Sequence, residues 1–255
     1  MTYPSRALQR NAIMTTMERL ITGAQKLGLS LSSRQLKQFS IYYQELVAWN
    51  KRMNLTAITS YEEVQTKHFL DSLTLTLAFK QPLADASFSV IDVGTGAGLP
   101  GIPLKVLLPD IRLVLLEATK KKAAFLDHIK HKLGLDTTEI VVGRAEEMAH
   151  ETRYRERFDV VLSRAVARLP SLVELTLPFC IVGGSFISQK KEAIEPEIHK
   201  ASRAIKLLGG NLREVKRVNL EELADERCLI VIDKVSPTPE QYPRRPGIPT
   251  KRPLL

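Results

Sequence analysis

The residues best suited to bind a ligand lie between Val90 and Gly101, where a short apolar run is followed by closely spaced glycines. The run indicates a buried parallel strand, and Pro100 is typical of the first turn of a helix. Glycines let a backbone approach a ligand closely, and a helix N-terminus offers free N–H groups. The stretch therefore predicts a strand, turn and helix that bind a ligand.

The spacing of these glycines fits two kinds of cofactor site. Residues 96–101 match G-x-G-x-x-G, the dinucleotide fingerprint, which is a weak signal on its own. Residues 92–98 match D-x-G-x-G-x-G, which resembles the first motif of methyltransferases that use S-adenosylmethionine (SAM). Asp92 favours SAM, because a carboxylate repels a pyrophosphate but attracts ammonium and sulfonium charges. The same carboxylate could instead cap the turn by accepting hydrogen bonds from its N–H groups.

An acidic residue stands where a nucleoside site would have one. Glu117 ends the next predicted strand, 19 residues after Gly98, and its carboxylate could accept hydrogen bonds from both hydroxyls of a ribose. NAD and SAM sites share this feature, so Glu117 indicates a nucleoside cofactor without choosing between them. A solvated acid at a strand end is the structural alternative.

Short β-type runs alternate with helical stretches from Phe88 onward, which predicts an α/β fold with a doubly wound parallel sheet. The predicted strands are 88–93, 112–117, 139–143, 158–163 and 185–190, and the predicted helices are 101–108, 120–134, 169–180 and 193–208. Two further β-type runs, 212–218 and 228–235, leave no room for a crossover helix and should pair antiparallel. Such a terminal hairpin resembles the class I methyltransferase sheet and not a six-stranded dinucleotide domain.

Three amphipathic helices are predicted before the sheet, and a basic, proline-rich tail follows it. The first helix begins near Ile13, the second at a Ser32 or Ser33 cap, and the third at a capping box of Ser60 and Glu63. The tail should be extended and poorly packed on its own. We therefore divide the chain into a helical extension (1–85), a SAM-binding domain (86–235) and a tail (236–255).

Charge is concentrated in the two flanks. The net charge is +9; residues 1–85 carry ten basic and six acidic residues, and residues 236–255 carry four and one, which leaves 9 − 4 − 3 = +2 for the middle. A basic excess of this kind favours a polyanionic partner such as nucleic acid, although ordinary solubility charge is the alternative. The run of Lys120, Lys121 and Lys122 could likewise contact phosphates or simply be exposed to solvent.

We expect neither a membrane span nor a metal site. No run of 18 apolar residues exists that could span a membrane. Cys180 and Cys228 lie in apolar runs, which indicates buried thiols in a reducing cytosol. The cysteines form no metal motif, and His128 and His131 could share a helix face but lack Cys or carboxylate partners at ligand spacing. The sequence therefore predicts a cytoplasmic protein without a metal, and we expect a monomer.

Longer motifs extend over nearly the whole chain: Trp49-Asn50-Lys51 with Asn54-Leu55-Thr56, His68 to Ser72, Asp92 to Pro103, Ser163-Arg164-Ala165 and Lys190. Together they resemble the bacterial 16S rRNA (guanine-N7) methyltransferases, the glucose-inhibited division protein B family. The continuation Gly-Leu-Pro-Gly-Ile-Pro is far more specific than the glycines alone. The resemblance implies a class I SAM-dependent methyltransferase that acts on N7 of a guanine, with 16S rRNA or the small ribosomal subunit as its partner.

The resemblance also implies which residues form the sites. Family contacts to SAM carry over to Gly94, Leu99, Ala145, Glu146 and Arg164, to which the loop and strand arguments add Asp92, Gly96, Gly98 and Glu117. Substrate contacts are expected from His68, Asp71, Arg164 and Lys190, of which Arg164 or Lys190 could hold O6 of the guanine. His68 and Asp71 could equally form a structural pair that ties the extension to the sheet. No catalytic base is expected, because guanine N7 carries a lone pair and no proton.

Two other functions stay open on the residues alone. An NAD(P)-dependent oxidoreductase is disfavoured by Asp92 and by the terminal hairpin. A non-catalytic RNA-binding or ribosome assembly factor would keep SAM only as a ligand.

Overall fold

The computed structural model describes residues 17–80, 87–164, 166–191, 194–223 and 225–255, in which seven strands form one mixed sheet. The strands are β1 (Ser89–Val93), β2 (Arg112–Glu117), β3 (Thr138–Val142), β4 (Phe158–Arg164), β5 (Cys180–Lys191), β6 (Gly210–Val218) and β7 (Arg227–Lys234). Their order across the sheet is β3-β2-β1-β4-β5-β7-β6. The first five strands pair in parallel, whereas β7 is antiparallel to both β5 and β6. The predicted doubly wound sheet with a terminal antiparallel hairpin is confirmed.

Helices precede the sheet and connect its strands. Before the sheet lie α1 (Glu18–Lys26), α2 (Ser33–Asn50) and a continuous helical run, α3, that consists of Tyr61–Glu63, Val64–Leu70, Asp71–Leu73 and Thr74–Ala78. The later helices are α4 (Gly101–Leu107), α5 (Lys120–Leu133), α6 (Ala145–Met148), α7 (Leu169–Thr176), α8 (Glu195–Leu207) and α9 (Ile248–Lys251). Ile13, the predicted start of the first helix, lies outside the described residues. No helix in the described ranges is long and apolar enough to cross a membrane.

One of the two predicted caps of α2 is present, and one predicted helix boundary differs. Ser32, one of the two predicted caps, is the N-cap of α2, and it forms a reciprocal capping box with Gln35 that was not predicted. The helix predicted over 169–180 is wrong at its end: α7 stops at Thr176, a short 3₁₀ turn contains Pro178, and β5 already begins at Cys180. Proline lacks the N–H that would continue the helix, which explains the earlier stop.

Two apolar clusters fill the two faces of the sheet. In the first, Leu46 of α2 and Phe69 of α3 pack with Leu115 of β2. In the second, Leu172 of α7 packs with sheet residues and with Tyr242 of the tail. The extension therefore shares its core with one face of the sheet, which fixes α3 next to the carboxyl ends of the parallel strands.

The segment after β7 differs from the sequence prediction. Thr238 and Tyr242 are buried, and Arg155 donates hydrogen bonds to the carbonyls of both, each at 2.8 Å. A proline-rich backbone cannot form a ladder of its own, so its carbonyls are paired by side chains of the domain. The prediction of a poorly packed tail is wrong, because these polar contacts accompany apolar packing onto the sheet.

Candidate cofactor and substrate sites

The glycine turn after β1 forms a loop at the carboxyl edge of the sheet. Gly94, Gly96 and Gly98 have φ angles of +72°, +61° and +90°, a region that favours glycine. A Cβ at Gly94 would lie 2.6 Å from Cγ2 of Val166, whereas a Cβ at Gly96 would meet no atom within 4 Å. Leu99 is buried at the end of the turn. The loop therefore presents bare backbone where the sequence predicts a cofactor.

Glu117 closes this loop from the end of β2. It is 6% exposed, its Oε2 accepts the N–H of Gly96 at 3.0 Å, and its Oε1 accepts the N–H of Thr119 at 2.8 Å. A carboxylate offers about four acceptor positions, so acceptor capacity remains for ligand hydroxyls. Glu117 therefore keeps acceptor capacity for the predicted contact with a ribose.

Asp92 lies beneath the loop and is completely buried. Its Oδ2 accepts the hydroxyl of Thr95 at 2.6 Å and the N–H of Gly101 at 2.9 Å, while its Oδ1 is buried without a partner among the described residues. Burial raises the pKa of Asp92 to about 6, against the opposing effect of these two hydrogen bonds. Asp92 therefore caps the turn, the second of its two predicted roles, and places a carboxylate under the loop.

The residues after β3 reach the same edge of the sheet. The N–H of Gly143 donates to the carbonyl of Glu117 at 3.1 Å, which joins the end of β3 to the end of β2. Ala145 and Glu146 then begin α6, and Glu146 is 8% exposed. Its Oε1 accepts the N–H of Gly247 in the tail at 2.9 Å, a contact that the sequence analysis did not anticipate.

These features fit SAM better than a dinucleotide. The carboxylates of Asp92 and Glu117 lie below and beside the loop, where negative potential favours a ligand with ammonium and sulfonium charges and disfavours a pyrophosphate. The open space at Gly96 leaves the backbone accessible. In the described ranges, no group of three or more His, Cys, Asp and Glu side chains could hold a metal ion.

A cavity of about 430 Å³ lies between α3 and the carboxyl ends of β4 and β5, and all four predicted substrate residues line it. They are His68 and Asp71 of α3, Arg164 of β4 and Lys190 of β5, together with Ile58, Lys67, Gln189, Asp225 and Arg227. Since β4 is the neighbour of β1, the end of β4 that lines the cavity lies beside the end of β1, where the glycine loop begins.

Asp71 is the centre of the charges in this cavity. It is 4% exposed; its Oδ2 accepts from Nη1 of Arg164 and its Oδ1 from Nε of Arg227, both at 3.0 Å. The two arginines belong to β4 and β7, so this carboxylate ties the extension to the sheet. Asp71 thus has the structural role that the sequence analysis weighed, although its partners are arginines and not His68.

His68 is held by its own contacts. Its Nε2 lies 2.8 Å from Oγ1 of Thr56, and its Nδ1 lies 3.1 Å from the carbonyl of Lys67. A carbonyl can only accept, so this network assigns the proton to Nδ1 and makes Nε2 the acceptor. Burial, and then the charge of Arg164, lowers the pKa of His68 to about 4. His68 is therefore neutral at physiological pH, and both of its nitrogens are engaged.

The turn after α2 explains one motif of the extension. Asn50 accepts the N–H groups of Leu55 and Thr56 at 2.8 and 3.0 Å, and its amide donates to the carbonyl of Thr56 at 3.0 Å. These bonds close the turn and hold the Thr56 hydroxyl against His68. The Asn50 to Thr56 motif therefore positions a wall of the cavity.

The two cations predicted to hold the guanine differ in how fully they are engaged. The ammonium of Lys190 donates to the carbonyl of Ala167 at 2.8 Å and to Oε1 of Glu197 at 3.0 Å. Arg164 uses only Nη1, and its Nε and Nη2 make no hydrogen bond within the described part of the chain. Arg164 is therefore the better placed of the two to donate to a ligand.

Two residues of the sites were missed by the sequence analysis. Tyr42, which is fully buried, donates its hydroxyl to the carbonyl of Ala97 inside the glycine loop. Arg227 pairs with Asp71 across the sheet. A charged residue directly before an apolar strand was a signal for Arg227, whereas the partner of Tyr42 lies 55 positions away and leaves no local signal.

Cofactor binding should depend on pH through Asp92. Because its pKa is raised to about 6, its negative charge is present above this pH and lost below it. We expect the affinity for SAM, measured by calorimetry, to fall severalfold between about pH 7 and pH 5. Asp92→Asn keeps an acceptor for Thr95 but cannot titrate, so its affinity should not fall over this range. The same fall in both proteins would contradict this assignment.

The fold and the loop define a class I SAM-dependent methyltransferase, with a sheet of order β3-β2-β1-β4-β5-β7-β6 and a glycine loop after β1. The model of the family GidB, described as rRNA small subunit methyltransferase G, matches residues 35–227. The chain belongs to this family. The match supports neither an oxidoreductase nor a non-catalytic binding protein.

Similar proteins cover most of the chain. A "Ribosomal RNA small subunit methyltransferase G" of Dehalococcoides mccartyi (strain CBDB1) is 52% identical over 239 residues, 94% of this chain and 100% of that protein. A protein of the same name from Brevibacillus brevis is 46% identical over 228 residues, 89% of this chain and 94% of that protein. Among solved structures, TrmN from Thermus thermophilus has a TM-score of 0.49 at 18% identity and covers 65% of this chain and 48% of that one.

Proposed function

We propose that this protein transfers a methyl group from SAM to N7 of a guanine in 16S rRNA, in the cytoplasm and as a monomer. The names of its relatives support the rRNA substrate. One observation supports N7 as the methylated atom: each acidic or histidine side chain among the described residues that line the cavity already forms an ion pair or hydrogen bonds. Asp71 and Asp225 pair with Arg227, and His68 is neutral with both nitrogens bonded.

Guanine N7 suits a cavity of this kind. The atom carries an in-plane lone pair and no proton, so no side chain has to act as a general base. SAM, when bound, supplies a methyl group on a positively charged sulfur. The remaining task of the protein is to hold the guanine so that N7 faces this group, which is an effect of positioning.

Arg164 and Asp71 contribute to this positioning in different ways. Arg164 would donate from Nε and Nη2 to O6 of the guanine, the edge that arginine commonly binds. N7 becomes positively charged when it is methylated, so the guanidinium has to stay away from that atom. Asp71 holds Arg164 through Nη1 at 3.0 Å and thereby restricts where the rest of the guanidinium can lie.

Mapping of 16S rRNA from cells with and without the protein tests this function. One guanine should lose a single methyl group, and the modified site should be cleaved by borohydride and aniline, a treatment that detects N7-methylguanosine. Purified protein should restore the modification to undermethylated rRNA or small subunits. A methylation pattern that is the same in both cell types would overturn the proposal.

Gly94→Val should abolish cofactor binding. The φ angle of +72° disfavours a β-branched residue, and its Cβ would lie 2.6 Å from Cγ2 of Val166. Gly134→Val is the matched control, because Gly134 has a φ of +65° with no atom within 4 Å of a Cβ and lies outside the loop. Calorimetry should detect SAM binding, and no NADH binding, for the unmodified chain and for Gly134→Val. SAM binding by Gly94→Val with unchanged affinity would remove the loop from the site.

Binding of rRNA should weaken steeply with salt, and we expect phosphate contacts from lysines at the carboxyl edge of the sheet. The C-terminus of α2 lies by the first half of α5, since Trp49 and Phe125 have ring centroids 5.6 Å apart. Lys51 and Lys120 are exposed there and form no ion pair within the described ranges. Replacing both by glutamine should reduce the slope of log affinity against log salt by about 1 to 2.

Lys130 and Lys132 supply the control for this experiment. They lie in the last turn of α5, away from the carboxyl edge, so the double glutamine variant removes the same charge from another place. Its salt slope should equal that of the unmodified protein. An equal reduction in the two double variants would indicate a general charge effect and not a binding surface.

A further inference from the structure

The tail is anchored by a carboxylate that the domain buries. Glu174 lies in α7 with a side chain that is 0% exposed, and Arg244 of the tail is its partner. The backbone N–H and Nε of Arg244 donate to Oε1 at 2.8 and 2.9 Å, and Nη2 donates to Oε2 at 2.7 Å. An unpaired carboxylate at this depth would be strongly unfavourable. Glu174 therefore fixes Arg244 and the course of the residues that follow it.

Three residues further on, the tail contacts the predicted cofactor site. Gly247 has a φ of +82°, and its N–H donates to Oε1 of Glu146 at 2.9 Å. The other oxygen, Oε2, makes no hydrogen bond in the part of the chain that the structure describes. The tail and α6 together line a cavity of about 560 Å³ that includes Glu146, Pro243 and Pro246. The tail thus holds one oxygen of Glu146 and leaves the other for a ligand.

We propose that Arg244 and Gly247 are positioning residues for the cofactor: Arg244 anchors the tail, and the N–H of Gly247 orients Glu146 toward the purine amino group of SAM. The inference rests on the proposed function, because the family resemblance assigns Glu146 to SAM. A carboxylate oxygen is the acceptor that an amino group requires. A carboxylate that is already fixed loses less rotamer freedom on binding, which raises affinity. The family model ends at residue 227, before both positioning residues.

Two glycine variants test the contact in the full chain. Gly247→Ala and Gly183→Ala both place a methyl group at a left-handed φ, +82° and +94°, where a Cβ meets no atom within 4 Å. Both variants should therefore lose similar thermal stability from backbone strain. Relaxation of that strain moves the Gly247 N–H away from Glu146. We expect Gly247→Ala to bind S-adenosylhomocysteine about tenfold more weakly by calorimetry, and Gly183→Ala to bind it as the unmodified chain does.

A double variant tests the anchor without leaving a buried charge unpaired. Glu174→Leu combined with Arg244→Leu replaces the ion pair by apolar side chains, a change that proteins commonly tolerate. The freed tail should again weaken S-adenosylhomocysteine binding about tenfold. Unchanged affinity in this variant and in Gly247→Ala, or an equal loss in Gly183→Ala, would overturn the inference. No binding by the unmodified chain would instead overturn the proposed function.

Discussion

Replacing Asp71 with alanine is expected to lower the free energy of unfolding by about 3–5 kcal/mol, the cost of removing one side of a buried ion pair. Asp71 is the shared partner of Arg164 and Arg227, whose side chains are only 15% and 7% exposed. Both arginines would keep their charge and lose this counter-ion. Chemical denaturation followed by circular dichroism measures the loss, and single-turnover methylation should fall with it because Arg164 is no longer held.

Glu63 provides a control within the same helical run. It pairs with Lys67 at 2.7 Å, but its side chain is 47% exposed, and exposed pairs contribute little to stability. Glu63→Ala should therefore unfold at nearly the same denaturant concentration as the unmodified protein. Equal losses in the two variants, or none in Asp71→Ala, would contradict the central role of Asp71.

The parts of the fold that the sequence predicted are those with local signals. The strands are short apolar runs, and the positive φ angles of Gly94, Gly96 and Gly98 require glycine. The carboxyl ends of parallel strands meet at one edge, so Glu117 and Arg164 could be assigned to that edge from their positions after predicted strands. The terminal hairpin followed from the absence of room for a crossover helix.

The parts that could not be predicted depend on partners far apart in the chain. Asp71 and Arg227 are separated by 156 positions, and Glu174 and Arg244 by 70. The tail was predicted to be poorly packed because its prolines form no secondary structure of their own. It is nevertheless held, since the domain supplies donors such as Arg155 to its carbonyls. Amino-acid composition predicts the structure that a segment forms by itself, but not the hydrogen bonds that distant segments make with it.

The proposed reaction depends most on the contact between Arg164 and the guanine. Replacing Arg164 with alanine is expected to lower the single-turnover methylation rate about 100- to 1,000-fold, the effect of removing a positioned donor from a reacting group. Arg164→Lys keeps a positive charge next to Asp71 but loses the planar fork that would bind O6, so its rate should be intermediate. SAM affinity, measured separately, distinguishes loss of the guanine contact from loss of the cofactor.

Substitution of His68 tests whether the reaction uses a general base. Its pKa of about 4 and its bonds to Thr56 and Lys67 leave it no proton-accepting role near neutral pH. His68→Gln should therefore retain most of the activity, because an amide can replace both hydrogen bonds. The rate of the unmodified enzyme, measured with saturating SAM, should vary little between about pH 7 and 8.5. A rate that rises about tenfold per pH unit and disappears in His68→Gln would mean that the attacking atom carries a proton, which N7 does not.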